Sequence, residues 1–335
     1  MEGAVFTEPG DLDRAELAAV LERHWGLREP QLEYLPVGFG SHHWRAVDSS
    51  DAHRFVTVDD LQAGFQAGPD TDAAFAALDR AFRTAAWLRD EAELDFVVAP
   101  LHDDEGVIIR RLDDRYAVTV SPLIAGESST WGPYESADDR RRMGGVLGRL
   151  HVVTEHVPAG LPRRDDFALP SRAVLVEALH DLDHPWASGP FAEPARRLLQ
   201  ANAGDLERRL QEYDQLAAEV RESSERWVIT HGEPHRANVI RDPHGGVHLV
   251  DWDTTLIAPR ERDLRMVLDE DLTGWDEYLA AAGHATLNQQ AIELYRRWWN
   301  LADTGIFVGV LRRQHERTED TVASWENLAE ILSAA

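Results

Sequence analysis

The chain has 335 residues, a formal net charge of −26, no cysteine and no lysine, so all 34 of its basic residues are arginine. The length allows two or three lobes, and the missing lysine and cysteine exclude a Walker-A phosphate loop, a pyridoxal Schiff base, disulfides and thiolate chemistry. The acidity disfavours nucleic acid as a partner and favours small cationic molecules, which an acidic cleft attracts.

The N-terminal third predicts a helix followed by a β-rich region with one long helix. The first helix covers 12–26, where Leu17, Val20 and Leu21 form an apolar stripe and Gly26 ends the helix. Apolar runs separated by turn residues predict strands at 32–37, 43–47, 55–58, 96–99, 107–112 and 116–121, and helical spacing predicts a helix at 71–90.

After residue 122 the pattern is mostly helical. Apolar residues at helical spacing predict helices at 136–156, 171–180, 192–221, 261–268, 273–282, 287–316 and 319–333. We therefore expect an α+β protein with an N-terminal antiparallel sheet lobe (1–121), a hinge (122–127) and a helical C-terminal lobe (128–335). No apolar run is long enough for a membrane span and no leader precedes the first helix, so we expect a cytoplasmic monomer or dimer with no membrane partner.

One stretch, residues 229–253, carries the clearest chemistry. A short strand leads into a polar loop, then a hairpin with a Gly-rich turn returns the chain beside the loop. This arrangement places the side chains of Glu233, Asn238 and Asp251 next to one another. Carboxylate and amide oxygens are the ligands that Mg²⁺ prefers, with phosphates and water completing its shell. The sequence therefore predicts a magnesium site here.

His231-Gly232-Glu233, with Asn238 five residues later, resembles the catalytic loop of the aminoglycoside phosphotransferase family. Asp251-Trp252-Asp253 resembles its metal-binding strand end. The resemblance implies a bilobal protein-kinase-like fold and an antibiotic phosphotransferase of the spectinomycin-phosphotransferase-like kind. It assigns metal binding to Asn238 and Asp251 and makes Glu233, in place of the usual aspartate, the catalytic base. It makes His231 and Asp253 loop supports.

The resemblance also assigns a nucleotide site between the lobes. Gly38-Phe39-Gly40-Ser41 resembles the nucleotide-covering loop, and the segment from Pro122 resembles the hinge that binds the purine edge. Thr57 takes the place of the phosphate-binding lysine, so another group must supply positive charge. Arg45, Arg54, His42 and His43 are candidates for that role. The predicted nucleotide-binding residues are Phe39, Gly40, Ser41, His43, Arg45, Thr57, Pro122, Leu123 and Ile124.

The family builds its substrate pocket from the C-terminal helices, where acidic residues and tryptophans accompany one another. Glu270, Asp271 and Trp298 are candidates for substrate binding, although the same residue types also fit a solvated surface and a helical core. The resemblance implies Mg²⁺-dependent transfer of the γ-phosphate of ATP or GTP to a hydroxyl of a small molecule. The expected substrate is an aminoglycoside, aminocyclitol, nucleoside or peptide antibiotic.

Two alternatives stay open. One is a kinase of the same fold that acts on a metabolite such as an amino alcohol or sugar. The other is a nucleotide-binding pseudokinase scaffold, which the missing lysine and the glutamate at position 233 favour. The retained Asn238 and Asp251 favour an enzyme.

Overall fold

The computed structural model describes residues 6–38, 40–62, 70–223 and 226–333. Its helices are α1 (Arg14–Trp25), α2 (Thr71–Asp90), α3 (Ala137–Val152), α4 (Arg172–His180), α5 (Ala192–Glu222), α6 (Glu261–Val267), α7 (Trp275–Ala282), α8 (Gln289–Arg312) and α9 (Glu319–Ser333). Its strands are β1 (Gln31–Leu35), β2 (Ser41–Val47), β3 (His53–Asp60), β4 (Arg110–Arg111), β5 (Tyr116–Pro122), β6 (Glu127–Ser128), β7 (Arg163–Arg164), β8 (Val228–Thr230), β9 (Val239–Arg241), β10 (Val247–Leu249) and β11 (Leu256–Ala258).

The N-terminal sheet is antiparallel, in the order β1-β2-β3-β5-β4. Side chains alternate between its faces. One face packs Trp44, Val56 and Val118 against α1 in a buried cluster. The opposite face carries His43, which pairs across the strands with Thr57. That second face is therefore the one that looks towards the rest of the molecule.

A second buried cluster joins the two parts of the chain. It includes Phe82 of α2, Leu147 of α3, Leu249 of β10, Leu264 of α6 and Trp252, which lies between β10 and β11. The apolar face of α2 is thus covered by the helical part and by the hairpin that carries the predicted site. A third cluster fills the space among α4, α5, α8 and α9.

Two further contacts connect the sheet with the helical part. β6 pairs with β9 directly after the segment that links the two parts. The backbone N–H of Phe6 donates to a carboxylate oxygen of Asp320 at the start of α9 (2.7 Å). The hydroxyl of Tyr34 on β1 donates to the carbonyl oxygen of Thr7 (3.1 Å), which fixes the same N-terminal segment to the sheet.

The fold predicted from sequence is confirmed: an antiparallel sheet is followed by a mostly helical region. The predicted strand at 96–99 is wrong, because this segment forms only an isolated bridge between Val97 and Leu249. The predicted strand at 107–112 shortens to β4. The two-residue strands β6 and β7 and the strand β11 were not predicted. None of the helices among the described residues is long and apolar enough to cross a membrane.

Candidate active site

The loop after β8 is braced by the buried side chain of His231. Its Nε2 donates to the carbonyl oxygen of Val250 (2.8 Å), and its Nδ1 accepts from the backbone N–H of Glu233 (3.1 Å). Its ring meets Trp252 edge-on, with centroids 4.6 Å apart. Burial lowers the pKa of His231 to about 4, so the ring is neutral at physiological pH. His231 therefore fastens the loop to the segment that carries the strand-end carboxylates.

A buried aspartate on α6, Asp263, binds the backbone of the same loop. The carboxylate of Asp263 accepts the backbone N–H groups of His231 (2.9 Å) and Gly232 (2.6 Å). It also contacts Nε2 of His151 (3.1 Å), whose Nδ1 lies 2.9 Å from the hydroxyl of Tyr278. Burial alone would raise the pKa of Asp263, but the hydrogen bond from His151 and neighbouring positive charge lower it. Asp263 is thus an ionised anchor for the loop backbone.

Glu233 is partly buried at the edge of the cleft. The Nε2 of His235 lies 3.8 Å from its Oε2. Arg262 lies nearby and donates to the hydroxyl of Thr230 (3.0 Å). Burial alone would raise the pKa of Glu233, but His235 and Arg262 outweigh it and the pKa is lowered. Glu233 is therefore ionised at neutral pH and able to accept a proton.

Asn238 and two aspartates converge beside Glu233. The side-chain nitrogen of Asn238 donates to the carbonyl oxygen of Glu233 (3.0 Å), which orients the amide. Asp251 adopts a left-handed backbone conformation, with φ of 68°, that aspartate tolerates better than most residues. The surrounding protein partly removes the carboxylate of Asp251 from water, although part of the residue is exposed. This desolvation and the negative charge of Glu233 raise the pKa of Asp251 to about 6. Burial and the charge of Asp251 raise the pKa of Asp253 well above its usual value.

This set of oxygens fits a divalent cation. Two aspartates that repel one another beside an amide oxygen form a hard-oxygen donor set, and a cation relieves the repulsion. Asn238, Asp251 and Asp253 are therefore the residues that could hold Mg²⁺.

The predicted nucleotide-covering loop lies between β1 and β2. Phe39 lies outside the described residues. Gly40 has a positive φ of 86°, which allows a tight turn without a side chain. The hydroxyl of Ser41 donates to Oδ1 of Asp59 (2.7 Å) on the neighbouring strand. The serine hydroxyl is thus tied to the sheet.

The groups proposed to replace the missing lysine are already engaged. Nδ1 of His43 lies 3.2 Å from the hydroxyl of Thr57, and burial lowers the pKa of His43 to about 3, so its ring carries no charge. Arg45 pairs with Glu33 (2.6 Å). Arg54 donates to the carbonyl oxygen of the preceding residue (2.8 Å). The fourth candidate, His42, has its Nδ1 3.2 Å from the hydroxyl of Tyr34, and burial lowers its pKa. His42 and Arg54 alternate onto the sheet face opposite Thr57, so neither directs a positive charge at that residue.

The predicted hinge follows directly on β5. Pro122 is the last residue of β5, Ile124 is partly buried and Leu123 is exposed. At its far end Gly126 packs tightly against the backbone of Arg241, so that an added Cβ would overlap it. The hinge is therefore held at both ends by strand pairing.

The predicted substrate residues occupy different environments. Glu270 and Asp271 are exposed in the turn between α6 and α7. The indole N–H of Trp298 donates to the carbonyl oxygen of Ala168 (2.9 Å), and its ring packs against the third buried cluster. The roles of these three residues in substrate binding stay predictions.

Sequence reasoning missed a charged group that faces Glu233 from the helices. The guanidinium of Arg265 lies over the ring of Trp299, 5.2 Å from its centroid, and its buried Nε has no acceptor among the described residues. Asp303 follows Trp299 by one helical turn on α8. Burial and the charge of Glu233 raise the pKa of Asp303 to about 7. Burial lowers the pKa of Arg265 to about 10, with the nearby Arg262 adding to the shift.

Asp59 and Arg265 were missed, because no local pattern marks either residue. Asp263 belongs to the acidic start of the helix after the strand-end aspartates, and Asp303 belongs to the acidic residues that accompany the tryptophans of the C-terminal helices. The sequence thus drew attention to both of these stretches without placing the two side chains near Glu233.

Chemically, the site combines the ionised carboxylate of Glu233 with amide and carboxylate oxygens that could hold a divalent cation. Such a set suits transfer of a charged phosphoryl group, which depends on positioning and electrostatic stabilisation. The fold and the site together define a kinase-like phosphotransferase.

Comparison with known proteins agrees with this class. Residues 34–298 match the APH family, described as the phosphotransferase enzyme family. Because the match covers most of the chain, this protein belongs to that family. A search of curated proteins finds no match.

Solved structures share the fold at low sequence identity. A spectinomycin phosphotransferase in complex with ADP and spectinomycin is 16% identical, with a TM-score of 0.70, and the match covers 97% of this chain and 98% of that one. An amicoumacin kinase bound to AMP-PNP and Ca²⁺ is 14% identical, with a TM-score of 0.62 and coverages of 97% and 94%. An ethanolamine kinase from Plasmodium vivax is 12% identical, with a TM-score of 0.56 and coverages of 98% and 90%.

Proposed function

We propose that the protein transfers the γ-phosphoryl group of ATP or GTP to a hydroxyl of a small-molecule antibiotic. The observation that carries the proposal is the convergence of Glu233, Asn238, Asp251 and Asp253 on one cleft, on a loop fixed by Asp263. Family membership makes phosphoryl transfer the chemistry of such a cleft.

Glu233 is the proposed base. Its ionised carboxylate accepts the proton of the substrate hydroxyl as that oxygen bonds to the γ-phosphorus. The bond between the γ-phosphorus and the β–γ bridging oxygen breaks, and the nucleoside diphosphate leaves with that oxygen. The glutamate side chain is one methylene longer than the usual aspartate, and the hydrogen bond from its N–H to Nδ1 of His231 fixes its backbone.

Asn238 and Asp251 would hold Mg²⁺, with Asp253 beside them. Mg²⁺ bound there supplies positive charge that neutralises the phosphate oxygens during transfer. The backbone around Gly40 and the hinge at Pro122, Leu123 and Ile124 would receive the phosphates and the purine base. The sheet face that carries Ser41, His43, Arg45 and Thr57 would cover the nucleotide.

The substrate would lie between Glu233 and helix α8. The carboxylate of Asp303 is partly exposed, and Arg265 leaves a buried Nε without an acceptor among the described residues. Because an unpaired buried donor is costly, Arg265 suits a ligand that offers an acceptor, and Asp303 suits one that offers a cation or a donor. A molecule that carries an amine and an oxygen acceptor near its reactive hydroxyl fits both residues. Aminocyclitols and aminoglycosides have this composition, and nucleoside or peptide antibiotics are further candidates.

A metabolite kinase is the second candidate. The shared fold with an ethanolamine kinase and the available carboxylate of Asp303 favour an amino-alcohol substrate. The two candidates differ in what happens in cells. Expression in a susceptible bacterium raises the inhibitory concentration of the antibiotic only under the first proposal.

The test is a product screen with purified protein, Mg²⁺ and either ATP or GTP. The panel contains spectinomycin, aminoglycosides, nucleoside and peptide antibiotics, ethanolamine and choline, and mass spectrometry detects the added phosphate. Asp251→Asn should abolish product formation, and Asp114→Asn, the same change at an exposed turn, should not. Nucleotide binding without a phosphorylated product from any panel member would favour the pseudokinase scaffold.

A further inference from the structure

The segment between β6 and α3 is fastened to the loop after β8. Nε of Arg236 donates to the carbonyl oxygen of Thr130 (2.8 Å), and another nitrogen of the same guanidinium donates to the hydroxyl of Thr130 (3.3 Å). The hydroxyl of Tyr134 is buried and donates to the carbonyl oxygen of Pro234 (2.8 Å). Because these contacts lie on both sides of Trp131, the backbone that carries this tryptophan is held in place next to the loop.

The side chain of Trp131 is large, apolar and 41% exposed. Its ring meets the ring of His235 in a T-shaped arrangement, with centroids 6.3 Å apart. Nε2 of His235 in turn lies 3.8 Å from Oε2 of Glu233. A single side chain therefore separates this exposed aromatic ring from the proposed base.

Single exposed apolar residues are common, but this one is attached to the loop of the candidate active site. A tryptophan on a fixed backbone loses little conformational freedom when a ligand covers it. The face of its ring attracts ammonium groups, and it also packs well against apolar ring surfaces. The guanidinium of Arg236 is already paired with Glu135, so its charge is compensated, whereas the carboxylate of Glu233 also attracts a cation. The surroundings of Trp131 thus favour a ring that carries an amine.

We propose that Trp131 is a platform for the phosphate acceptor and holds an ammonium-bearing ring of that molecule beside Glu233. The inference rests on the proposed function, in which Glu233 accepts the proton of the substrate hydroxyl. The hinge that would receive the purine base precedes β6 in the chain, and Trp131 follows it. The platform selects acceptors with an amine-bearing ring, such as aminocyclitols and aminoglycosides, over an open-chain amino alcohol.

The first test compares the steady-state kinetics of Trp131→Ala and Trp131→Phe with those of the wild type. The acceptors are spectinomycin and kanamycin, with ethanolamine as an amine that has no ring. For the ring-bearing acceptor that is phosphorylated, Trp131→Ala should raise KM about tenfold and change kcat and the KM of the nucleotide little. Trp131→Phe keeps an aromatic ring and should recover most of the loss. Thermal unfolding should be alike in all three proteins, because the side chain is exposed.

Three results would each overturn the platform and leave the proposed phosphoryl transfer standing. They are a product from ethanolamine alone, a raised KM for the nucleotide, and a lower kcat with an unchanged KM for the acceptor in Trp131→Ala. The last result would make Trp131 a support for the loop through His235. No phosphorylated product from any acceptor would instead overturn the proposed function, and the platform with it.

A second measurement observes Trp131 directly and needs no turnover. The chain has 11 tryptophans, and labelling with 5-fluorotryptophan gives each of them a fluorine NMR resonance. Trp131→Phe removes one resonance and so assigns it. With AMP-PNP and Mg²⁺ present, adding spectinomycin or kanamycin should shift the Trp131 resonance. A resonance that moves with AMP-PNP and then stays unchanged with both acceptors would place the ring at the nucleotide and overturn the proposal.

Discussion

Asp263 binds the backbone N–H of His231 at 2.9 Å and also that of the next residue. The carboxylate comes from α6, whereas the loop precedes the hairpin, so two distant stretches of chain are fixed to one another. Gly232, the second residue bound, has a positive φ of 105°, and an added Cβ would meet Arg262 and Thr254. The position of Glu233 thus depends on this contact.

Replacing Asp263 by asparagine should destabilise the protein. An amide keeps one acceptor and turns an NH₂ group towards the other backbone N–H, and it leaves His151 without its carboxylate. We expect a loss of about 3 kcal/mol in the free energy of unfolding. Urea denaturation measures it, with Asp114→Asn as the control. Equal stability of the two variants would contradict the anchoring role.

Glu233→Gln should lower kcat for phosphoryl transfer by about 10²–10⁴-fold, because the amide cannot accept the hydroxyl proton. Binding of AMP-PNP should change little, since Glu233 is not assigned to the nucleotide. Steady-state kinetics and calorimetric titration separate the two effects. Glu233→Asp, which restores the family residue, should retain more activity than Glu233→Gln. A glutamine variant with wild-type kcat would rule out the role as base.

Cation affinity should fall in mild acid. The pKa of Asp251 is raised to about 6, so below that pH the residue holds a proton that a cation must displace. Above pH 6 Asp251 has lost this proton, and its contribution to the pH dependence of cation affinity should level off. Below it, affinity should drop about tenfold per pH unit for one displaced proton. Mn²⁺ titrations from pH 5 to 8 check this, and a flat profile would contradict it.

Two adjacent glycines in α3 should respond oppositely to alanine. A Cβ on Gly144 would overlap the backbone carbonyl of Gly274, before α7, whereas a Cβ on Gly145 meets nothing within 4 Å. Gly145→Ala should stabilise the protein by about 0.5–1 kcal/mol through helix propensity. Gly144→Ala should destabilise it, because α3 must shift from its neighbour. Thermal unfolding of both variants compares the same substitution in one helix.

Asp303→Asn should weaken the binding of amine-bearing substrates. Removing the negative charge should raise KM about tenfold for a substrate whose ammonium it contacts, with a smaller effect on kcat. The comparison is a substrate whose amine has been acetylated, for which the variant and the wild type should perform alike. An identical KM for the amine in both proteins would remove Asp303 from the substrate site.

The sequence predicted the parts of the site whose residues lie close together in the chain. It did not predict the parts that depend on contacts between residues far apart in the chain. The loop and hairpin that bring Glu233, Asn238 and Asp251 together lie within 19 residues of sequence, so turn chemistry alone brings them to one mouth. Asp59 comes from β3, and no local pattern marks it. Asp303 belongs to the acidic residues beside the tryptophans of the C-terminal helices, but no local pattern places it near Glu233.

The segment 96–99 shows why the strand prediction failed there. Its residues are buried, as their apolar character indicates. Val98 donates to the carbonyl oxygen of Leu249, and Leu249 donates to that of Phe96, but no neighbouring strand extends the pairing. Burial could be predicted from composition, whereas membership of a sheet depends on a partner that is distant in sequence.

The hydrogen bond between Phe6 and Asp320 joins the sheet part and the helical part of the molecule at a second place. The chain itself connects the sheet to the helices through residues 122–127. The second connection runs through the N-terminal segment, where Phe6 donates to Asp320 and Tyr34 of the sheet donates to Thr7. Any movement of the sheet relative to α9 would have to break the hydrogen bond between Phe6 and Asp320. The N-terminal segment therefore ties β1 to the start of α9, and the contact is independent of the chain connection at 122–127.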